Sequence, residues 1–209
     1  MNGTPWHGKL AGAAAFVIAV CSHAGVPAQE PANDPSPLVL PGHRYDLPAT
    51  LITAAQIEQH KQNMIAVKET DVAMTMVKAG GGSDEHQVGV SLVVRYEGQT
   101  NRNYAVHDDV VEVYYVIEGR GRMKVGGRIT DWARRPVSIE NGRGSAGTTA
   151  VGARDITIQK GDMLIIPAGT PHKWELAEEF TAYAVVRVDP DGVAPLLELG
   201  MAKFIAPTP

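Results

Sequence analysis

Residues 161–172 read Gly-Asp-Met-Leu-Ile-Ile-Pro-Ala-Gly-Thr-Pro-His, and this stretch decides the fold of the chain. The apolar run Met163–Ile166 predicts a short buried strand that ends at Pro167, because proline fixes φ and cannot donate to a strand ladder. Gly169 can adopt a backbone conformation that other residues avoid. The stretch therefore predicts a strand and a tight turn that place His172 at the start of the next strand.

A second informative stretch, residues 104–119, reads Tyr-Ala-Val-His-Asp-Asp-Val-Val-Glu-Val-Tyr-Tyr-Val-Ile-Glu-Gly. Together the two stretches resemble the signature motifs of the cupin superfamily. The second motif of that family, G-x5-P-x-G-x2-H, is complete in residues 161–172. The first motif, H-x-H-x3-4-E-x6-G, lacks its first histidine because Ala105 stands there, and Leu176 stands where the family often has an asparagine.

The resemblance implies an antiparallel jelly-roll β-barrel that binds one divalent metal through His107, Glu112 and His172. Two imidazoles and one carboxylate form a facial triad, which suits Fe(II) first and also Mn, Ni, Co or Zn. By resemblance the reaction is a dioxygenation, an isomerisation or a lyase reaction on a small organic molecule, with Glu112 as a ligand or as a general base. Cupin-like barrels often form homodimers.

The strand pattern independently predicts an all-β protein. Many short β-rich runs separated by glycine-rich turns are typical of an antiparallel sandwich or barrel. The predicted strands are 72–77, 88–94, 103–107, 111–117, 122–125, 155–158, 163–166, 172–176 and 181–188.

One short helix precedes these strands. Thr53-Ala-Ala-Gln56 has the pattern of a capping box, in which the two side chains satisfy backbone groups at a helix start. We therefore predict a helix from Ala54 to about Ile65, with His60 exposed on its surface.

The spacing of the ligand residues requires a turn between them. His107 and Glu112 are separated by an odd number of positions, so one flat strand would put them on opposite faces. Asp108-Asp109 favours a turn, which allows one strand to end at His107 and the next to begin near Glu112. Alternation then puts Tyr114 and Trp174 on the ligand-bearing faces, and Ala105 beside them opens onto the metal. We predict that these three residues line the substrate pocket.

The segment between the two motifs, residues 120–160, is longer than a hairpin needs. It is either a lid near the pocket mouth or a surface excursion. Gly142–Gly147 matches the dinucleotide pattern G-x-G-x-x-G, but no strand precedes it and no helical pattern follows, so a flexible loop is predicted. Arg134-Arg135 is predicted to lie in a solvated loop.

Length and charge limit the function. The chain has 209 residues with 44% hydrophobic content, enough for one well-buried domain, and its formal charge of −4 gives no reason to expect a nucleic-acid partner.

Residues 1–28 have the pattern of a cleavable signal peptide, with Lys9 before the apolar run Leu10–Val20, which is too short to span a bilayer. Residues 29–50 then form a linker or arm and residues 51–209 a single barrel domain. We expect a periplasmic or secreted protein, with lipidation at Cys21 as a minor alternative.

Three functional hypotheses remain open at this stage. The first is an exported metal-dependent enzyme that acts on a small molecule. The second is a non-catalytic binding or sensing barrel, since Ala105 and Leu176 depart from the family pattern. The third is a barrel in which the metal is structural. A site without metal, in which the two histidines and Glu112 hydrogen-bond within a ligand pocket, is the alternative to a metal site.

Overall fold

The computed structural model describes residues 49–79 and 86–194. Within these ranges one helix, α1 (Ala54–Val67), precedes a series of strands. The strands are β1 (Asp71–Ala79), β2 (His86–Arg95), β3 (Tyr104–His107), β4 (Val111–Glu118), β5 (Arg120–Val125), β6 (Arg128–Ile129), β7 (Ala133–Arg134), β8 (Gly144–Gly147), β9 (Ala150–Val151), β10 (Arg154–Gln159), β11 (Met163–Ile166), β12 (His172–Ala177) and β13 (Thr181–Asp189). The predicted signal peptide, most of the arm and the glycine-rich turn at 80–84 lie outside the described residues.

The strands form two antiparallel sheets. One has the order β1-β2-β13-β4-β11, the other β10-β5-β12-β3-β8-β7, and β6 and β9 make a separate two-stranded ribbon. Neighbours in each sheet are mostly distant in sequence, as in a jelly roll, where the chain passes repeatedly between two sheets. The predicted all-β jelly-roll architecture is confirmed, and each of the nine predicted strands has a counterpart. The prediction that Met163–Ile166 is a buried strand is wrong, because Met163 and Ile165 are 67% and 64% exposed on the outer face of the sheet edge.

The main core lies between the two sheets. Tyr114, Tyr183 and Val185 from the first sheet pack with Met123 and Trp174 from the second. These side chains are each at most 5% exposed, so the apolar faces of the two sheets are removed from water together.

The helix covers the outer face of the first sheet. Met64 of α1 packs with Leu92 and Val94, which point away from the main core. The capping box is confirmed, because the Gln56 N–H donates to Thr53 Oγ1 at 3.2 Å and the Thr53 N–H donates to Gln56 Oε1 at 2.8 Å. The helix runs on to Val67, two residues beyond the predicted end.

His60 corrects one prediction. Expected on the helix surface, it is fully buried, and its Nε2 lies 3.4 Å from the Val72 carbonyl oxygen. The sequence did not show that β1 and β2 supply an apolar surface on this side, so the buried face of the helix was underestimated.

Gly142–Gly147 corrects another prediction. Instead of a flexible loop, Gly144–Gly147 is strand β8, which pairs with β3 so that Gly144 lies opposite His107. Any side chain at Gly144 would overlap the Val106 carbonyl oxygen, so glycine permits the close approach. Arg134 likewise belongs to β7, which pairs with β8, although both it and Arg135 are exposed.

All three motif glycines adopt positive φ, and two of them, Gly119 and Gly161, provide a matched stability test. Gly119 has φ 78°, and an added Cβ would overlap the Phe180 carbonyl oxygen, whereas Gly161 has φ 91° with open space around that position. Gly161→Ala should cost about 1–2 kcal/mol for the disfavoured backbone conformation alone. Gly119→Ala should cost more, because the backbone of the facing segment must also move.

Urea unfolding of both variants measures this difference. Equal costs for the two substitutions would show that the contact at Phe180 does not constrain Gly119.

Candidate metal centre

The three predicted ligand residues come from strand ends in both sheets. His107 is the last residue of β3, His172 is the first residue of β12, and Glu112 is the second residue of β4 in the opposite sheet. The chain crosses between the sheets over residues 108–110, which is the turn that the odd spacing required. His172 pairs in register with Ala105, the position of the missing family histidine.

Their side chains converge. Glu112 Oε2 lies 3.6 Å from His107 Nε2 and 3.3 Å from His172 Nε2. One ligand atom from each residue lies within 4.8 Å of the other two. Glu112 is 2% exposed, His107 7% and His172 6%. The sequence prediction that these residues form one cluster agrees with this geometry.

Hydrogen bonds from the turn hold both histidines in place. The Gly169 N–H donates to the His107 carbonyl oxygen at 2.7 Å, which connects the second motif to the first. The His172 Nδ1 lies 3.0 Å from the Thr170 carbonyl oxygen. A carbonyl can only accept, so Nδ1 carries the proton in this contact and Nε2 keeps its lone pair toward the cluster.

Both carboxylate oxygens of Glu112 are engaged. The Tyr114 hydroxyl donates to Oε2 at 3.1 Å, and Arg187 Nε donates to Oε1 at 3.1 Å. Arg187 lies on β13, is 3% exposed, and also donates to Asp71 Oδ2 at 2.8 Å and to Ser91 Oγ at 2.5 Å. A buried guanidinium thus ties Glu112 to the first two strands of its sheet.

The charges around Glu112 decide its ionisation. Burial alone would raise the pKa of Glu112, but the positive charge of the adjacent Arg187 holds this pKa well below its usual range. Burial lowers the pKa of His107 to about 4, with a partly opposing contribution from Glu112. An ionised carboxylate beside the neutral His107 imidazole suits metal binding.

Arg187 is the site residue that sequence analysis missed. The sequence signal for Arg187 is weak. It is one arginine in the otherwise mostly apolar run Thr181–Asp189, and strand alternation puts this arginine at a buried position. A buried arginine in a strand needs a carboxylate partner, but its partners Glu112 and Asp71 are far away in the sequence.

A cavity of about 160 Å³ adjoins the cluster. The three predicted pocket residues, Ala105, Tyr114 and Trp174, all line it. Arg135 and Asn141 line it too, so the segment between the motifs contributes to the cavity and is not merely a surface excursion.

The donor set fits a divalent transition metal. Two imidazole nitrogens and one ionised carboxylate oxygen lie within 4.8 Å of one another, and such a mixed N and O set suits Fe, Mn, Ni, Co or Zn. Arg187 and Thr170 occupy the other polar atoms of Glu112 and His172, as outer partners of metal ligands commonly do.

Arg187 should dominate the stability of this region. Arg187→Met leaves the buried Glu112 carboxylate without its counter-ion, so we expect a loss of about 3–5 kcal/mol in the free energy of unfolding of metal-free protein. The matched control is Arg134→Gln, which breaks an exposed pair with Asp108 and should change stability little.

Denaturant unfolding of the two variants measures the contrast. If both variants unfold at the parent's denaturant concentration, Arg187 does not stabilise the buried carboxylate.

Comparisons with known proteins found only structural neighbours of low sequence identity. No protein-family model matches the sequence, and no curated protein matches it either. Among solved structures, a protein from Bacillus halodurans is 17% identical, with a TM-score of 0.41, over 68% of this chain and 83% of that chain. A cupin protein from Bacteroides fragilis is 15% identical, with a TM-score of 0.34, over 50% of this chain and 67% of its own. An oxalate oxidase is 20% identical, with a TM-score of 0.33, over 51% of this chain and 43% of its own.

These identities and TM-scores are too low to carry any conclusion about activity. The neighbours include proteins described as cupin and double-stranded β-helix proteins. The two antiparallel sheets themselves identify the fold, and the protein has an antiparallel jelly-roll architecture.

Proposed function

We propose that the protein binds one divalent transition metal through His107, Glu112 and His172 and acts on a small organic molecule in the adjoining cavity. The observation that carries the proposal is the convergence of three buried ligand atoms within 4.8 Å at the wall of a cavity. Fe(II) is the metal that this ligand set suits first, with Mn, Ni, Co or Zn as alternatives.

A bound divalent metal would supply Lewis-acid polarisation and a template for the substrate. The protein's own residues decide how the site is arranged around it. Arg187 and Tyr114 hold the two oxygens of Glu112 and oppose a swing of the carboxylate away from the histidines. This arrangement supports Glu112 as a fixed ligand over Glu112 as a mobile general base.

Ala105 shapes the open side of the site. Its methyl group lines the cavity where the family motif has another histidine, so no protein ligand competes with the substrate there. A site with vacant positions suits dioxygenation, isomerisation or lyase chemistry, and we propose one of these reaction types.

A non-catalytic binding protein is the second candidate, and the missing histidine at Ala105 is the observation that favours it. Substrate-dependent turnover or dioxygen uptake by metal-loaded protein separates an enzyme from a binding protein. A small molecule retained without turnover, on a protein that still holds its metal, would favour binding or sensing. A metal that raises the melting temperature while no ligand binds would favour a structural role.

We also propose a cellular location and an assembly state for the protein. The pattern of residues 1–28 supports export to the periplasm or the outside of the cell, and N-terminal sequencing of the mature protein should then find a start near residue 29. Within the described residues no helix is long and apolar enough to span a membrane. The cupin resemblance supports a homodimer, which sedimentation measures.

Elemental analysis tests the metal proposal. The purified protein should contain about one equivalent of a transition metal, and His107→Ala and His172→Ala should each lose it because two ligands remain. His86→Ala is the matched control, since His86 lies on β2 outside the cluster and should leave the metal content unchanged.

The same samples give a second readout. Metal should raise the melting temperature of the parent, since a ligand that binds only the folded state stabilises it, and should not raise that of the two variants. A parent without metal after reloading with Fe(II), Mn(II), Ni(II) and Zn(II) would contradict the proposal.

A further inference from the structure

The lining of the cavity carries an excess of positive charge. Four basic residues line it, Arg95, Arg135, Lys173 and Arg187, against two acidic residues, Asp71 and Glu112. With neutral histidines the lining therefore has two more positive than negative charges. A divalent metal at the cluster would increase this excess.

Two of the basic residues already have carboxylate partners. Arg187 is paired with Glu112 and Asp71, as described above. Lys173 lies 3.2 Å from Glu175 and also sits over the Tyr104 ring. Arg95 and Arg135 are the two remaining basic residues of the lining.

Arg95, at the end of β2, has an incomplete set of hydrogen bonds. Its Nε is buried and has no acceptor among the described residues, and its terminal nitrogen reaches only the Val94 carbonyl oxygen at 3.4 Å. Arg135 follows β7 in the opposite sheet, and in the described part of the chain no carboxylate pairs with its guanidinium. Two guanidinium groups from opposite sheets thus reach one cavity without a counter-ion.

The phenol of Tyr183 adds a third donor. Its oxygen accepts a hydrogen bond from Trp174 Nε1 at 2.9 Å, and within residues 49–79 and 86–194 its own proton has no acceptor. Tyr183 is 1% exposed, so outside the cavity no water can accept a hydrogen bond from its hydroxyl group. Buried donors without acceptors are costly, and a ligand that brings acceptor oxygens removes that cost.

The size and the walls of the cavity define the rest of the ligand. A cavity of about 150 Å³ in another protein holds benzene, so the 160 Å³ here accommodates roughly six non-hydrogen atoms. Tyr114, Trp174 and Tyr183 provide aromatic wall, which suits carbon atoms. Inorganic phosphate has acceptor oxygens but no apolar part to contact these rings.

We propose that this cavity binds a small organic carboxylate of roughly six non-hydrogen atoms, whose carboxylate is held by Arg95 and Arg135. An arginine matches the planar carboxylate with two parallel hydrogen bonds. The idea that the rest of the ligand contacts a metal rests on the function proposed above. Recognition of the carboxylate depends only on the two arginines.

The experiment is a calorimetric titration with matched charged and neutral probes. Racemic lactate and lactamide have the same number of non-hydrogen atoms, as do propionate and propionamide, and each pair differs in charge. Inorganic phosphate is the third type of probe. Each is titrated into metal-loaded and EDTA-treated protein, and Trp174 fluorescence provides a second signal in a background that carries Trp6→Phe and Trp132→Phe.

We expect at least one carboxylate to bind, and its amide to bind at least tenfold more weakly. Arg95→Gln and Arg135→Gln should each weaken carboxylate binding tenfold or more, and Arg95→Lys should restore part of it. Arg128→Gln is the control, because Arg128 is exposed on β6 and does not line the cavity. Since Arg135 is exposed, its variant tests the proposal even if a substitution at Arg95 impairs folding.

The inference is overturned by no binding of either carboxylate, by amides that bind as tightly as their acids, or by glutamine variants that bind like the parent. Phosphate binding tighter than either carboxylate would also overturn it, in favour of an inorganic anion site. The metal content of the same samples separates the carboxylate proposal from the metal proposal. If the protein takes up no metal but still binds a carboxylate through the two arginines, only the metal proposal is contradicted.

Discussion

The hydrogen-bonded ion pair between Arg187 and Glu112 is the interaction on which the centre of this barrel depends. A carboxylate buried at 2% exposure is costly to desolvate, and it is tolerated here because Arg187 Nε lies 3.1 Å from one oxygen while imidazole nitrogens and the Tyr114 hydroxyl surround the other. Arg187 in turn binds Asp71. The pair therefore fixes both the protonation state and the direction of the carboxylate.

The two sheets contribute different parts of the centre. The sheet that contains β3 and β12 supplies both histidines at strand ends, and the opposite sheet supplies Glu112 with its arginine. Only packing of the sheets through the aromatic core brings these groups together. The metal proposal thus concerns a site that exists only in the fully folded barrel, and binding there would stabilise that state.

The segment between the motifs brings a polar group to the same place. Strand β8 lies against β3 because Gly144 has no side chain, and this pairing positions the chain that carries Arg135 at the cavity. Arg95 reaches the cavity from the other sheet. The combination of a buried ligand cluster, aromatic walls and two guanidinium groups that lack a carboxylate partner among the described residues is chemically consistent with one small, charged organic ligand.

The sequence by itself determined the fold class, the positions of nine strands, the capped helix and the three clustered residues. Strand alternation, glycine and proline at turns and the motif spacing are local signals, so His107, Glu112 and His172 could be named without coordinates. Tertiary structure alone decided the burial of His60, the strand formed by Gly144–Gly147 and the role of Arg187. Each depends on a partner distant in sequence: the outer face of β1 and β2, the edge of β3, and the carboxylates of Glu112 and Asp71. Strand pairing within each sheet and packing of the helix on the outer face set these contacts, and no local pattern encodes them.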